Sequence, residues 1–202
     1  NTIKVDAETI IEVEIVKEYT VTVNSEAEQG TVKVNGQTGS VTVDEGTSIS
    51  INVNASEGYQ ISSVSITGIN DIGITDKYEF NYEGIEVNSD IAVSVTYTKV
   101  YTITVNYNEN GTVSIDRGET EGGSVIVNTG GNAVIEDGKT VTLIADPNDN
   151  FRVSEFWIDG VKDETISDEN YSITDVYSKV LTPDKSFTVS VVFAPNRYEV
   201  TK

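Results

Sequence analysis

Tyr19-Thr-Val-Thr-Val-Asn24 puts Tyr19, Val21 and Val23 on one side of the chain and threonines on the other. Period-two alternation with β-branched residues is the pattern of a half-buried β-strand. The same string returns as Tyr101-Thr-Ile-Thr-Val-Asn106. Working outward from it, further pairs keep their order. Gly30-Thr-Val32 matches Gly111-Thr-Val113, and Gly46-Thr-Ser-Ile-Ser-Ile51 matches Gly138-Lys-Thr-Val-Thr-Leu143. Glu57-Gly-Tyr59 matches Asp149-Asn-Phe151, and Val64-Ser-Ile66 matches Phe156-Trp-Ile158. Tyr78-Glu-Phe80 is set against Tyr171-Ser-Ile173, and Val93-Ser-Val-Thr-Tyr97 against Val189-Ser-Val-Val-Phe193. The offset grows from 82 at the first tyrosine to 96 at the closing aromatic, so the second copy is longer, near 117–134 and 159–170. One ancestral unit copied, with loops lengthened, accounts for this.

No stretch has helical periodicity. Asn35-Gly36, Glu45-Gly46, Asp137-Gly138 and Asp159-Gly160 are turn signals between alternating runs. The expected fold is all-β: two tandem small domains of about six or seven short strands each, sandwich-like or an open barrel. The first repeat is expected over 18–99 and the second over 100–196. Ile11-Glu-Val-Glu-Ile15 resembles the closing strand of a copy, so 1–17 reads as the end of a preceding repeat. Tyr198-Glu-Val200 opens like a following one, placing its start in 197–202. The junction Thr98-Lys99-Val100 has no Gly, Pro or Ser, and Pro195 restricts the next, so the repeats are expected stiff and end to end.

The 202 residues carry 33 acids and 13 bases, a net charge of −20. Both copies share it: 12 acids and 3 bases over 18–99, 16 and 6 over 100–196. Such a surface repels nucleic acid and anionic lipid, and no apolar run approaches the length of a membrane span. Cys, Met and His are absent. Disulfides, thiolate nucleophiles, Cys- or His-based metal sites and a histidine base are therefore excluded. A chain without oxidisable sulfur suits an oxygenated, extracellular setting.

The order of motifs in the second copy is Tyr-x-Ile-x-Val, Gly-Thr-Val, then Gly138 through Phe151 as Gly-x-x-Val-x-Leu-x-Ala-x-Pro-x-x-x-Phe. Phe156-Trp157-Ile158-Asp159-Gly160 and Val189 to Phe193 complete it. This resembles the divergent internalin-type B repeat, or Listeria–Bacteroides repeat, of bacterial surface proteins. The first copy departs from it at Val64-Ser65 and Ala55-Ser56. The resemblance implies tandem modules that serve as spacers, adhesive units or partner-binding units, with β-grasp-like relatives.

Candidate residues are few. Trp157 aligns with Ser65 and is expected on the face opposite Phe156 and Ile158, where a lone exposed aromatic is either incidental or a sugar platform. Tyr78, Phe80 and Tyr82 form a stripe expected to be core. Asp146-Pro-Asn-Asp-Asn150 begins like a calcium loop, but Phe151 stands where glycine is needed and Trp157 where a bidentate glutamate is, so it reads as a turn. Calcium bound by other acidic loops, such as 163–169, stays open. Lys33 and Lys99 are strand-adjacent candidates for an intramolecular amide crosslink, with Lys33 expected to face water. Asn54, Asn110 and Asn170 sit in glycosylation sequons that an Asn-rich chain produces by chance. Paired carboxylates carry no signal among so many acids. No catalytic, metal or cofactor residue is expected. The expected role is a non-catalytic stalk or spacer in a bacterial cell-surface protein or adhesin, the chain being monomeric within a longer array. The alternative is a module binding a glycan or host surface protein through loops 117–134 and 159–170 of the second repeat, since unequal loops on matched frames are where binding resides.

Overall fold

The computed structural model describes residues 15–70, 72–118, 122–166 and 176–196. The strands expected within 1–17 and 197–202 fall outside these residues, save Ile15–Lys17, which are in no strand. The described chain is all-β, with no helix, and divides into two compact units. One takes in residues through Ser56 and Ile61–Tyr97; the other takes in Glu57–Gln60 and the residues from Thr98 on.

The first unit contains β1 Glu18–Asn24, β2 Gly30–Val34, β3 Gln37–Thr38, β4 Val41–Asp44, β5 Thr47–Ala55, β6 Tyr59–Ile66 from Ile61 on, β7 Glu79–Val87 and the part of β8 Ile91–Tyr107 up to Tyr97. One sheet runs β6–β8–β1–β4, and the other β3–β2–β5–β7. β1 is parallel to β8, with Val21 opposite Ile91 and Val23 opposite Val93. In the second sheet Val32 faces Val53, which faces Phe80 on its other side. Alternation buries one row from each sheet: Val21, Ile91 and Val93 share a core cluster with Val32, Ile51, Val53 and Phe80. The result is a two-sheet sandwich. Asn35 (φ 49°) and Gly36 (φ 78°) make the tight turn between β2 and β3, whose left-handed pair suits an Asn-Gly step.

The second unit contains the remainder of β8, then β9 Gly111–Asp116, β10 Ser124–Ile126, β11 Gly131–Glu136, β12 Val141–Pro147, β13 Phe151–Ile158, β14 Val161–Lys162, β15 Tyr177–Leu181 and β16 Phe187–Pro195. Its sheets run β14–β13–β16–β8–β11 and β10–β9–β12–β15. The wiring repeats that of the first unit. Ile103 faces Phe187 and Val105 faces Val189 in a parallel pair, matching Val21–Ile91 and Val23–Val93. Val113 faces Ala145 and Ile115 faces Leu143, matching Val32–Val53 and Val34–Ile51.

Two expectations change. The units have eight and nine strands among the described residues, more than six or seven, because β3, β10 and β14 are pieces of two or three residues too short to alternate. The match of Tyr78-Glu-Phe80 to Tyr171-Ser-Ile173 also fails. Residues 171–173 lie outside the described ones, and the strand that pairs with β12 as β7 pairs with β5 is β15. Tyr177 faces Ala145 where Phe80 faces Val53. A Tyr-Ser pair occurs twice in this stretch, and hydrogen-bond register puts the second, Tyr177-Ser178, beside β12.

Candidate functional site

Within β13, alternation buries Phe156 completely and turns Trp157 to the other side, half-buried. The indole N–H of Trp157 donates to Glu155 Oε2 at 3.1 Å. Lys162, opposite it on β14, holds its ammonium 5.8 Å from the ring centroid and 3.6 Å from Glu155 Oε1. Trp157 thus lies in a row Lys162–Trp157–Ser190–Asn106 across the outer face of the sheet, its ring framed by a partly exposed ion pair.

The most polar cluster lies just past β14. The carboxylate of Asp163, almost wholly buried, accepts hydrogen bonds from the Thr165 amide (3.0 Å), the Thr165 hydroxyl (2.6 Å), the Tyr177 hydroxyl (2.6 Å) and the Lys179 ammonium. Lys179, then Thr165 and Tyr177, hold the Asp163 carboxyl well below the usual carboxylate range. Burial first, and the Asp163 bond second, push the Tyr177 phenol up to about 12. An ionised carboxylate saturated by four donors does not exchange protons near neutral pH, so the group is a clasp, not an acid–base pair. It ties the strand bearing Tyr177 and Lys179 to the turn after β14. Sequence reasoning missed it. Asp163-x-Thr165 announces a local turn, but nothing in the string announces Tyr177-x-Lys179 as its partner.

A smaller arrangement is present in both units. Lys17 lies over the Tyr19 ring at 4.6 Å, and the Tyr19 hydroxyl donates to Glu45 Oε1 at 3.3 Å. Lys99 lies over Tyr101 at 5.1 Å, and the Tyr101 hydroxyl donates to Asp137 Oδ1 at 3.0 Å. Lys99, a crosslink candidate, is exposed in this role, and Lys33 faces solvent between buried Val32 and Val34, as its alternation requires.

Asp146 ends up in β12, and residues 148–150 make a turn in which the Phe151 amide donates to the Asn148 carbonyl at 2.9 Å and Asn150 takes φ 68°. Among the described residues no three acidic groups converge on a metal position. Of the aromatic stripe, Phe80 is buried and Tyr82 packs beside it at 6.4 Å between centroids. Tyr78 is exposed, because it lies ahead of β7 in a turn where Asp76 Oδ1 accepts its amide at 2.7 Å. Asn54 is exposed and Asn110 half-buried; Asn170 is outside the described residues. The longer loop at 117–134 is an enlarged hairpin: β10 pairs with β9 as β3 pairs with β2, and all three residues of β10 are exposed.

No family model and no curated protein matches the chain. Among solved structures it is similar to the major pilin protein (T-13) of Streptococcus pyogenes, at 10% identity and a TM-score of 0.26, over 90% of this chain and 97% of that one. It is also similar to the shaft pilin SpaA of Lactobacillus rhamnosus GG, at 8% identity and a TM-score of 0.24, over 92% and 100%. Likenesses this low carry no weight for fold or function here.

Proposed function

We propose that this chain is a non-catalytic repeat segment of an extracellular bacterial surface protein and works as a stalk or spacer. The observation that carries the reading is repetition without a shared polar site. The two units reproduce each other's strand order and register, while the Asp163 clasp belongs to the second unit and the Lys–Tyr–acid trio found in both keeps its lysine exposed. Selection for reach favours copied frames; selection for chemistry favours a site. The junction Thr98-Lys99-Val100, free of Gly, Pro and Ser, supports a stiff, end-to-end arrangement of repeats over 18–99 and 100–196. The motif order of the second copy supports kinship with the divergent internalin-type B repeat. Small-angle scattering is the test. A stalk gives an elongated particle whose length is unchanged by salt; a compact globule, or a particle that flexes freely, sinks the reading.

The second reading, a module that binds a glycan or host protein through the loops of the second repeat, is favoured by the enlarged 117–134 hairpin and its exposed Ile126. Glycan-array binding lost on Ile126→Asn and Trp157→Ala would select it over the spacer.

A further inference from the structure

The internal duplication gives each unit a built-in control, and the outer faces of two matched sheets differ at one place. In the second unit Trp157 on β13, Ser190 on β16 and Asn106 on β8 stand opposite one another as a row across three paired strands. All three point away from the core, because their strand neighbours Phe156, Val189, Val191 and Val105 are buried. Neighbouring strands are about 4.8 Å apart, so the indole and the Asn106 amide rise from backbones about 10 Å apart with only a serine between them. Val192 lies one outward step along β16 from Ser190 and is 39% exposed. The row is thus a shallow trough, with the half-buried indole on one side, an amide on the other and a floor of one hydroxyl and one apolar side chain.

In the first unit the matching positions are Ser65, Ser94, Asn24 and Thr96. No ring stands there, and the polar groups are turned on one another. Asn24 Nδ2 reaches Ser94 Oγ at 3.5 Å, and the Ser63 and Thr96 hydroxyls share a hydrogen bond of 2.6 Å. In the second unit neither Asn106 nor Ser190 has a side-chain hydrogen bond among the described residues. Charge differs from the rest of the surface too. The chain carries −20, yet the two acids nearest Trp157 on its own stretch are matched, Glu155 with Lys162 at 3.6 Å and Asp159 with Lys185 at 2.6 Å.

A neutral, amphipathic trough on an acidic molecule selects its ligand by chemistry. A polyanion is repelled by the surroundings, and a cationic partner is drawn to unpaired acids elsewhere. A wholly apolar partner would strand the Asn106 amide and the Ser190 hydroxyl, at about 1–3 kcal/mol for each one buried. An uncharged sugar ring meets every feature: its C–H face lies on the indole, and its hydroxyls bond Asn106 and Ser190. The indole is already held by its N–H bond to Glu155 and by Lys162, so little side-chain freedom is lost on binding.

We propose that the outer face of β13, β16 and β8 in the second unit binds an uncharged glycan strand, one hexose resting against Trp157 with its hydroxyls bonded by Ser190 and Asn106. This departs from the second reading above by placing the contact on the sheet face and not on the 117–134 hairpin. It is independent of the spacer reading, since a stalk with or without a glycan platform has the same length.

Trp157 is the sole tryptophan, so its emission reports on this face alone. The test titrates the whole chain with cellohexaose, maltohexaose and mannohexaose, and with a hexamer of galacturonic acid as the charged control. The expected result is a saturable change in emission with at least one neutral oligosaccharide and none with the acid. Asn106→Ala, at an exposed position, should weaken binding about 2- to 10-fold, the worth of one hydrogen bond. Trp157→Ala, followed by the amide NMR signals of Asn106 and Ser190, should abolish it. Trp157→Phe, with a smaller ring, should weaken it and keeps the test decisive if the alanine variant does not fold. Ile126→Asn should leave the response unchanged. The proposal is overturned by silence toward all three neutral sugars, by an equal response to the acid, or by binding undiminished in the Trp157 variants. A response lost on Ile126→Asn also overturns it, by moving the contact to the hairpin.

Discussion

Replacing Gly30 by alanine isolates the packing of the closing aromatic on its glycine. Gly30 does not lie in the left-handed region. At such a position Gly→Ala ordinarily stabilises by about 0.4–1 kcal/mol, because the unfolded chain loses freedom. Here an added Cβ would sit 2.3 Å from Tyr97 Cζ and 2.4 Å from both Cε1 and the hydroxyl oxygen. Carbon contacts are comfortable near 3.5–4.0 Å, so the ring must retreat by more than about 1 Å. Overpacking of this kind costs about 1–3 kcal/mol. Set against the entropic gain, the net expectation is destabilisation by about 1–2 kcal/mol. Because the three nearest atoms all belong to Tyr97, the sign should reverse in a Tyr97→Ala background, where Gly30→Ala becomes mildly stabilising. Gly111→Ala should be the costlier twin. Its Cβ meets Phe193 at 2.6 Å and also the backbone carbonyl oxygen of Asp146 at 2.7 Å, which cannot swing aside. Urea unfolding followed through the amide signals of Val32 and Val53, buried in the first unit's core, reads the Gly30 variants; Trp157 fluorescence reads Gly111→Ala. If Gly30→Ala proves neutral or stabilising with Tyr97 present, the ring does not rest on the glycine, and the argument for a shared aromatic seat in the two units fails.

The Asp163 clasp makes two more predictions. Asp163→Asn leaves the Lys179 ammonium without its counter-charge and weakens the Tyr177 and Thr165 bonds, for a loss of about 1–3 kcal/mol by denaturation monitored at Trp157. Because the folded-state value of Asp163 is depressed, its contribution is fully present above the unfolded value of about 3.9 and is lost as pH falls through the lower folded one; the variant should show a shallower acid dependence below about pH 4. Tyr177 works in the opposite direction. Its folded value of about 12 is above the unfolded value of about 10. Its share of stability therefore holds below about pH 10 and drains away as pH rises through the folded value. Tyr177→Phe should flatten stability against pH in that alkaline window, and an unchanged slope would remove Tyr177 from the clasp.

Much of the frame was legible before any coordinates. Tyr19–Val23 and Tyr101–Val105 announce strands because the side-chain period of a strand is local, and Asn35-Gly36 and Asp159-Gly160 announce turns because their left-handed dihedrals are local too. The copied order of these strings is likewise readable from the sequence alone. Partner choice is not local. Nothing in the string says that β1 runs parallel to β8, or that Tyr177 and not Tyr171 lies beside the strand at Ala145, since both are tyrosines followed by a serine. The Asp163 clasp joins residues whose separation in sequence carries no period. Alternation decides which faces are buried; only the closing of one sheet on another decides what those faces meet.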